Sequence, residues 1–244
     1  ITEKTRAIMP VHYCGQACDM DSLLEISDKH NLWVIEDAAH AFGSTYKKRK
    51  IGSFGHATCF SFDPIKVITC GEGGAVVLND KEKAELIQRK RVLGIDSDTH
   101  HRYLNKRNWF YNVSSHGYRY HMPNLSAAIG LVQMDKFDKF IKKRRKICRQ
   151  YDLSFSSFKA ITPLKVDYEE TVPFMYVVKV HNDLRDELMD FMREQGVETG
   201  VHYIPNHLHQ HFKKYKRSPL PQSKKIGREI VTLPLYYDMT EEDV

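Results

Sequence analysis

The sequence predicts an α/β protein, with a mostly parallel sheet in a large first domain and a smaller α+β domain after it. Over the first 95 residues, short apolar runs alternate with amphipathic helical segments. This order is typical of a parallel sheet that binds ligands at the carboxyl ends of its strands. The run at 32–35 is continuously apolar, as in strands covered on both faces. A long helical pattern from Pro123 leads into the second domain, so we expect domains at 1–150 and 151–244.

The elements of the first domain follow from apolar runs and from helix-capping residues. Four runs predict strands: 7–12, 32–35, 58–62 and 75–78. Two helices are predicted from their caps: from Asp19 or Asp21 to about His30, and from Asp80 through Leu93, closed by Gly94. Glu36 and Asp37 follow the second run, which places carboxylates at the carboxyl end of a buried strand.

The second half begins with a polar, aromatic-rich stretch at 95–115, which predicts a functional or interface loop because long irregular loops are uncommon in compact domains. The long helix is predicted from Pro123 to about Tyr151. Three further elements are predicted after it: strands at 174–180 and 197–203, and a helix at 184–195.

Composition limits the class of protein. The net charge of +6 is compatible with nucleic acid or with an anionic small substrate. The densest basic run, 142–146, lies within the long helical pattern and predicts a solvated helix face, so we expect no nucleic-acid partner. No apolar run approaches the ~20 residues that cross a bilayer, and the five cysteines show no disulfide or zinc spacing. We expect reduced thiols in a soluble, cytoplasmic protein without a membrane span.

The residues with candidate chemistry lie between Val34 and Gly74. Asp37 follows a strand, and Lys66 lies in a turn after another strand. A lysine at a half-buried strand end can have its pKa lowered and attack an aldehyde, and a buried carboxylate can hold the nitrogen of a pyridine ring. Small residues after Asp37 let a flat ring lie against the backbone. Taken singly, each residue also has an ordinary structural reading, and it is their order and context that favour a pyridine aldehyde phosphate.

Four segments extend this pattern along almost the whole chain, in order: PVHYCGQACDMDSLLEISDKHNLWVIEDAAHAFGSTYKKRKIGSFGHATCFSFDPIKVITCGEGGAVVLND, HGYRYHMPNLSAAIGLVQ, GVETGVHYIPNHL and LPLYYDMTEEDV. They resemble the DegT/DnrJ/EryC1/StrS family of nucleotide-sugar aminotransferases, which depend on pyridoxal 5'-phosphate. The resemblance implies the fold type I transferase architecture and a homodimer with shared active sites. It also implies amination of a nucleotide-linked keto sugar, with glutamate as donor, for surface polysaccharide or glycan biosynthesis.

The resemblance also implies roles for individual residues near the cofactor. Lys66 resembles the lysine that holds the cofactor as a Schiff base, and Asp37 resembles the partner of its pyridine nitrogen. The other implied cofactor contacts are Ala39 against the ring, His40 near the phenolic oxygen, Ser61 at the phosphate, and Arg119 at the phosphate of the neighbouring subunit. His202, Tyr203 and His207 match a stretch that lies close to the sugar nucleotide.

Several alternatives stay open at this point. The chain begins where family members are well into their large domain, so we expect a fragment that lacks the N-terminal part. An inactive chain that acts as a structural or dimerisation partner is the alternative to an enzyme. Four histidines lie close together in the sequence: His202, His207, His209 and His211. No carboxylate or cysteine completes a metal-ligand spacing with them, so we expect no metal site there. The AAHA and GYRY variants favour a 4-keto-6-deoxy sugar, without excluding amination at C3, and leave the nucleotide open.

Overall fold

The computed structural model describes residues 1–96, 111–215 and 218–244. Most of the predicted loop at 95–115 therefore lies outside the described residues. The described chain divides into two compact units, one of Ile1–His12 and Ala17–Lys136, the other of Tyr13–Gln16 and Phe137–Val244. The predicted boundary near residue 150 falls within a long helix that contributes to both units. No helix within the described ranges is long and apolar enough to cross a membrane.

The first unit contains two sheets and the helices around them. Its strands are β1 (Ala7–Ile8), β2 (Trp33–Asp37), β3 (Thr45–Tyr46), β4 (Arg49–Lys50), β5 (Ala57–Ser61) and β6 (Gly74–Val77). Its helices are α1 (Met20–His30), α2 (Lys81–Lys90) and the first part of α3 (Asn124–Phe155). The larger sheet has the order β1-β2-β5-β6.

The two predicted N-caps explain where α1 and α2 begin. The Asp19 side chain accepts a hydrogen bond from the Ser22 amide, and Asp80 accepts one from the Lys83 amide. Each carboxylate satisfies one of the orphan N–H groups of the first turn. Asn31 ends α1 in the left-handed conformation, with a φ of 50°. The second helix ends at Lys90, three residues earlier than its apolar pattern predicts.

The main sheet brings the carboxyl ends of two neighbouring strands together. β1 and β2 are parallel, as are β2 and β5, and Asp37 at the end of β2 lies opposite Cys59 of β5. β6 runs antiparallel to β5 and closes the sheet. The predicted strand at 7–12 is shorter, since Pro10 has no amide hydrogen to donate and only Val11 continues the pairing, as a single bridge to Asp37.

The second unit is built on a three-stranded antiparallel sheet. Its elements are β7 (Ile161–Pro163), β8 (Tyr176–Val180), α4 (Arg185–Glu194), α5 (Pro221–Glu229) and β9 (Ile230–Leu233). The end of α3 packs Ile147, Cys148 and Tyr151 into the core that covers this sheet. The prediction of a strand at 197–203 is wrong. Among the described residues, that segment pairs only through a bridge between Gly200 and Thr232.

The prediction of a fully solvated basic face at 142–146 is wrong for two of its members. The Arg144 guanidinium donates to the carbonyls of Pro173 (2.7 Å) and Phe174 (2.6 Å). Arg145 donates to the carbonyl of Thr171 at 3.1 Å. These arginines satisfy carbonyls of the segment before β8, so they hold this loop onto α3.

Candidate functional site

Both backbone polar groups of Asp37 are held by the neighbouring segment 10–12. Its amide donates to the carbonyl of Pro10 at 2.9 Å, and its carbonyl accepts from the His12 amide at 3.0 Å. The carboxylate accepts a hydrogen bond from the Ala39 amide at 3.1 Å, a local turn that aspartate favours. The carboxylate is thus presented, half-buried, just beyond the end of β2.

Lys66 is the last residue of a four-residue turn that follows β5. The Lys66 amide donates to the carbonyl of Asp63 at 3.0 Å, and the Asp63 side chain accepts from the Ile65 amide at 3.0 Å. Pro64 occupies the second position of this turn, where its fixed φ is favourable. The turn is anchored after Lys66 by Ile68, which is buried. A rigid turn therefore carries the half-buried lysine.

The electrostatic environment links Lys66 with Asp37. Burial lowers the pKa of Lys66 below its ordinary value, while the carboxylates of Asp63 and Asp37 act in the opposite direction. Burial also raises the pKa of the Cys59 thiol, and the Asp37 carboxylate adds to this increase. Lys66 thus lies within electrostatic reach of Asp63 and Asp37, and Cys59 lies within electrostatic reach of Asp37. A lowered amine pKa favours the neutral, nucleophilic form of a lysine.

Three further predicted cofactor residues lie on the same two strand ends. Ser61 is the last residue of β5, and its hydroxyl accepts from the Asp63 amide at 3.4 Å, near the hydrogen-bond limit. Ala39 lies two residues after Asp37 and is half-buried. His40 is buried in the turn after β2, with 8% of its surface exposed. All three belong to the unit that contains Lys66.

Arg119 has a different environment. It is exposed, and its backbone forms an isolated antiparallel bridge with Val92, beyond the end of α2. Its guanidinium makes no hydrogen bond or ion pair with another described residue. The structure does not bring Arg119 into contact with the described cofactor residues of its own chain, so its predicted role toward a neighbouring subunit remains a prediction.

The three predicted substrate residues belong to the second unit. The Nδ1 atom of His202 lies 2.9 Å from the Thr232 hydroxyl, and the Tyr13 hydroxyl donates to the His202 carbonyl. A Cβ atom on Gly200 would lie 2.8 Å from the His202 ring, so a larger residue there would displace the ring. Tyr203 is 51% exposed and meets His202 edge to face. His207 lies in a short 3-10 helix, Asn206–Leu208. No group of described residues has the His, Cys, Asp and Glu set that a metal needs.

Sequence reasoning missed Asp63 as a neighbour of Lys66 and Cys59 as a neighbour of Asp37. The signal for Cys59 is the two-residue period of a strand, which places it on the same face of β5 as Ser61. Asp63 stands within the quoted segment SFDPIK and could have been assigned from its position before proline in a turn. Sequence reasoning also passed over the buried neighbours His12 and Glu36, whose separation of 24 residues hides their contact.

Comparison with known proteins places the chain in a family. The sequence model of the DegT/DnrJ/EryC1/StrS aminotransferase family matches residues 1–244. Among curated proteins, the chain is 37% identical over 253 residues to SpsC of Bacillus subtilis, a spore coat polysaccharide biosynthesis protein, covering 100% of this chain and 65% of SpsC. The chain spans 65% of the length of the first curated relatives it matches.

Two solved structures have the same architecture. PseC of Helicobacter pylori, an aminotransferase involved in the biosynthesis of pseudoaminic acid, superposes with a TM-score of 0.90 at 29% identity over 100% of this chain and 65% of that one. Spr1654 of Streptococcus pneumoniae, a sugar aminotransferase in its PMP form, gives a TM-score of 0.91 at 28% identity over 100% and 67%. The fold is the predicted fold type I, and the chain belongs to the DegT/DnrJ/EryC1/StrS aminotransferase family.

Proposed function

We propose that this chain takes part in pyridoxal-phosphate-dependent transfer of an amino group to a nucleotide-linked keto sugar. The observation that carries the proposal is the amine of Lys66, with its lowered pKa, within electrostatic reach of Asp37 at the edge of two parallel strands. Membership of the family supports it, and so does the similarity to a polysaccharide biosynthesis protein. Glutamate as donor and a 4-keto-6-deoxy sugar as acceptor follow from the sequence resemblance.

The residues present fit this cofactor chemically. When bound, pyridoxal phosphate supplies an aldehyde that condenses with a primary amine, and a ring that withdraws electron density from the reacting carbon. The donor set includes a nucleophilic amine on Lys66, a carboxylate on Asp37 and a hydroxyl on Ser61. Ala38 and Ala39 follow the carboxylate and carry no bulk that would exclude a flat ring.

Each side chain has a defined task in the proposal. Lys66 would bind the aldehyde carbon and later move a proton as a general base, for which its neutral form is required. Asp37 would accept a hydrogen bond from the protonated pyridine nitrogen, a charge-assisted contact that stabilises by about 1.5–3 kcal/mol. Ser61 would donate its hydroxyl proton to the phosphate, and His40 would lie near the phenolic oxygen.

We further propose that His202, Tyr203 and His207 contact the sugar nucleotide and that the active enzyme is a homodimer. The contacts to Thr232 and Tyr13 fix the position of His202, which is the property required of a substrate-orienting group. Arg119 would then reach the cofactor phosphate of the neighbouring subunit. Its exposure and its lack of an ion pair with a described residue support this role.

The test is a titration of the purified chain with pyridoxal phosphate. We expect a near-visible absorbance band that is lost in Lys66→Ala and retained in Lys29→Ala, a variant at an exposed lysine of α1. A chain without the band, or a band that survives Lys66→Ala, would support the alternative of an inactive structural partner. With the band present, amino transfer from glutamate to a panel of UDP-, dTDP- and GDP-linked 3-keto and 4-keto sugars identifies the acceptor.

A further inference from the structure

A buried, hydrogen-bonded pair of polar side chains, His12 and Glu36, lies next to Asp37 in the sheet. The imidazole of His12 and the carboxylate of Glu36 are both fully buried, with Nε2 and Oε2 2.8 Å apart. The Cys18 amide approaches the other ring nitrogen, Nδ1, at 3.1 Å. Because an amide N–H can only donate, Nδ1 must act as an acceptor, and the single ring proton lies on Nε2 and points at Glu36.

The protonation state of the pair follows from its contacts. Glu36 also accepts from the Gly55 amide at 2.7 Å and from the Thr58 hydroxyl at 2.8 Å. Burial alone would raise the pKa of Glu36, but the donors His12, Gly55 and Thr58 outweigh it and leave the pKa below its ordinary value. For His12, burial lowers the pKa, but the contacts with Cys18 and Glu36 outweigh it and raise the pKa to about 9. The raised pKa favours a second ring proton, but that proton would have to lie on Nδ1, where the Cys18 amide already donates at 3.1 Å. The geometry therefore assigns a neutral imidazole beside an ionised carboxylate.

His12 is hydrogen-bonded both to the backbone of Asp37 and to the side chain of the residue before it, Glu36. The His12 amide donates to the Asp37 carbonyl at 3.0 Å, and the His12 side chain donates to Glu36, the residue bonded to Asp37. Successive residues of a strand point to opposite faces of the sheet. Glu36 therefore anchors β2 on the buried face, whereas Asp37 presents its carboxylate on the other face.

A core does not need such a pair for stability. Replacing buried polar pairs by apolar residues of similar volume is often neutral or stabilising, so the pair must be explained by more than burial. We propose that His12 and Glu36 are positioning residues that hold the Asp37 carboxylate at the place where it meets the pyridine nitrogen of the cofactor. This inference rests on the proposed function for its ligand, but its geometric part concerns Asp37 alone.

The test uses substitutions that separate the two contacts of His12. His12→Asn keeps an acceptor near the Nδ1 position and loses the contact with Glu36, whereas His12→Gln restores a donor near the Nε2 position. Thr58→Val is the matched control, because it removes a donor from the same carboxylate on the oxygen that does not face His12. Glu36→Gln breaks the pair from the other side while preserving its shape.

The first readout needs no cofactor. Asp37 contributes to the raised pKa of the exposed Cys59 thiol, so the pH dependence of Cys59 alkylation, measured by mass spectrometry, reports where the carboxylate lies. We expect His12→Asn and Glu36→Gln to shift the alkylation profile to lower pH, toward that of Asp37→Asn. His12→Gln and Thr58→Val should retain the parental profile.

The second readout uses bound pyridoxal phosphate labelled with ¹⁵N in its ring. In the parent and in Thr58→Val, we expect the ¹⁵N shift of a protonated ring nitrogen. In His12→Asn, the shift should move toward the unprotonated value and cofactor affinity should fall about tenfold, the loss of a charge-assisted contact.

The outcomes separate this inference from the proposed function. If the parent binds no pyridoxal phosphate, the proposed function fails, and the Cys59 profile still decides whether His12 positions Asp37. An unchanged Cys59 profile in a folded His12→Asn variant, with a clear shift in Asp37→Asn, overturns the inference. Unfolding of both His12→Asn and Glu36→Gln would also overturn it, since the pair would then support the whole unit.

Discussion

Opposing influences act on the Lys66 amine. Burial removes water from the charged form and lowers the pKa, while Asp63 and Asp37 stabilise the charge and raise it. Asp63 combines this effect with a structural role, because its side chain also accepts from the Ile65 amide. The pKa of the amine therefore depends on Asp63 in its own turn as well as on Asp37 at the end of β2.

The variant Asp63→Asn tests this balance. Asparagine keeps an acceptor for Ile65 but removes the negative charge, so the pKa of Lys66 should fall further and the neutral amine should be present at lower pH. We expect the rising limb of the pH profile of pyridoxal phosphate binding, followed by absorbance, to move to lower pH. Asp28→Asn, at an exposed position of α1, should leave the profile unchanged. A shift to higher pH in Asp63→Asn would contradict the assignment.

The lowered pKa of Glu36 predicts how the free energy of unfolding depends on pH. Its pKa in the folded chain lies below the ordinary value of 4.5, so the unfolded chain binds a proton more readily. Its stabilising contribution is thus present above pH 4.5 and is lost as the pH falls through the folded pKa. The acid-induced decrease in the free energy of unfolding, measured in urea, should be smaller in Glu36→Gln than in the parent. At pH 7 the variant should be less stable, by about 1–3 kcal/mol. Parallel pH profiles would contradict this account.

At the scale of elements, the sequence indicated the features that depend on neighbouring residues, such as helix caps. It did not indicate those that depend on tertiary contacts, such as strand direction and pairing. The caps Asp19 and Asp80 were readable because a capping carboxylate acts within three residues. Whether β6 runs parallel or antiparallel was not readable, since side-chain alternation is the same in either direction. The helix α5 was missed because PQSKKIGRE has almost no apolar stripe. The segment at 197–203 has strand-like residues, but its pairing is limited to the Gly200 bridge.

The helix α3 supplies a prediction at the same scale. Burial lowers the pKa of Arg144 to about 10, and its planar guanidinium holds two consecutive carbonyls before β8. Arg144→Lys keeps the charge but loses this two-pronged geometry. We expect it to lower the free energy of unfolding by about 1.5–3 kcal/mol in urea denaturation. Lys142→Ala, from the same basic run and exposed, should change it by less than about 0.5 kcal/mol. Equal effects of the two variants would show that Arg144 is a surface charge.

At the scale of the whole molecule, the predicted site residues divide between the two compact units. The candidate site at Lys66 and Asp37 could be proposed from the sequence because strand ends, small residues and a turn occur in a recognisable order along 34–74. The buried pair His12 and Glu36 was not predicted, because the two residues meet only in the folded chain and carry no local signal. Arg119 belongs to the first unit, yet its predicted ligand is the cofactor of a second subunit.

The shared-site proposal is tested by mixing two inactive variants. In a dimer of one Arg119→Ala chain and one Lys66→Ala chain, one site keeps both residues and the other loses both. Random reassembly places half of the chains in such mixed dimers, so about a quarter of the parental cofactor sites should return. The absorbance band of bound pyridoxal phosphate measures this fraction. Mixtures that show no more band than the Arg119→Ala chain alone would contradict a site shared between subunits.

The most direct test of the central claim is to trap the cofactor on the chain by borohydride reduction and to locate it by mass spectrometry of the peptides. The account predicts a stable pyridoxyl-phosphate adduct on Lys66, formed in the parent and absent in Lys66→Ala. An adduct spread over exposed lysines such as Lys29, or no adduct under saturating pyridoxal phosphate, would contradict the assignment of Lys66 as the cofactor-binding residue.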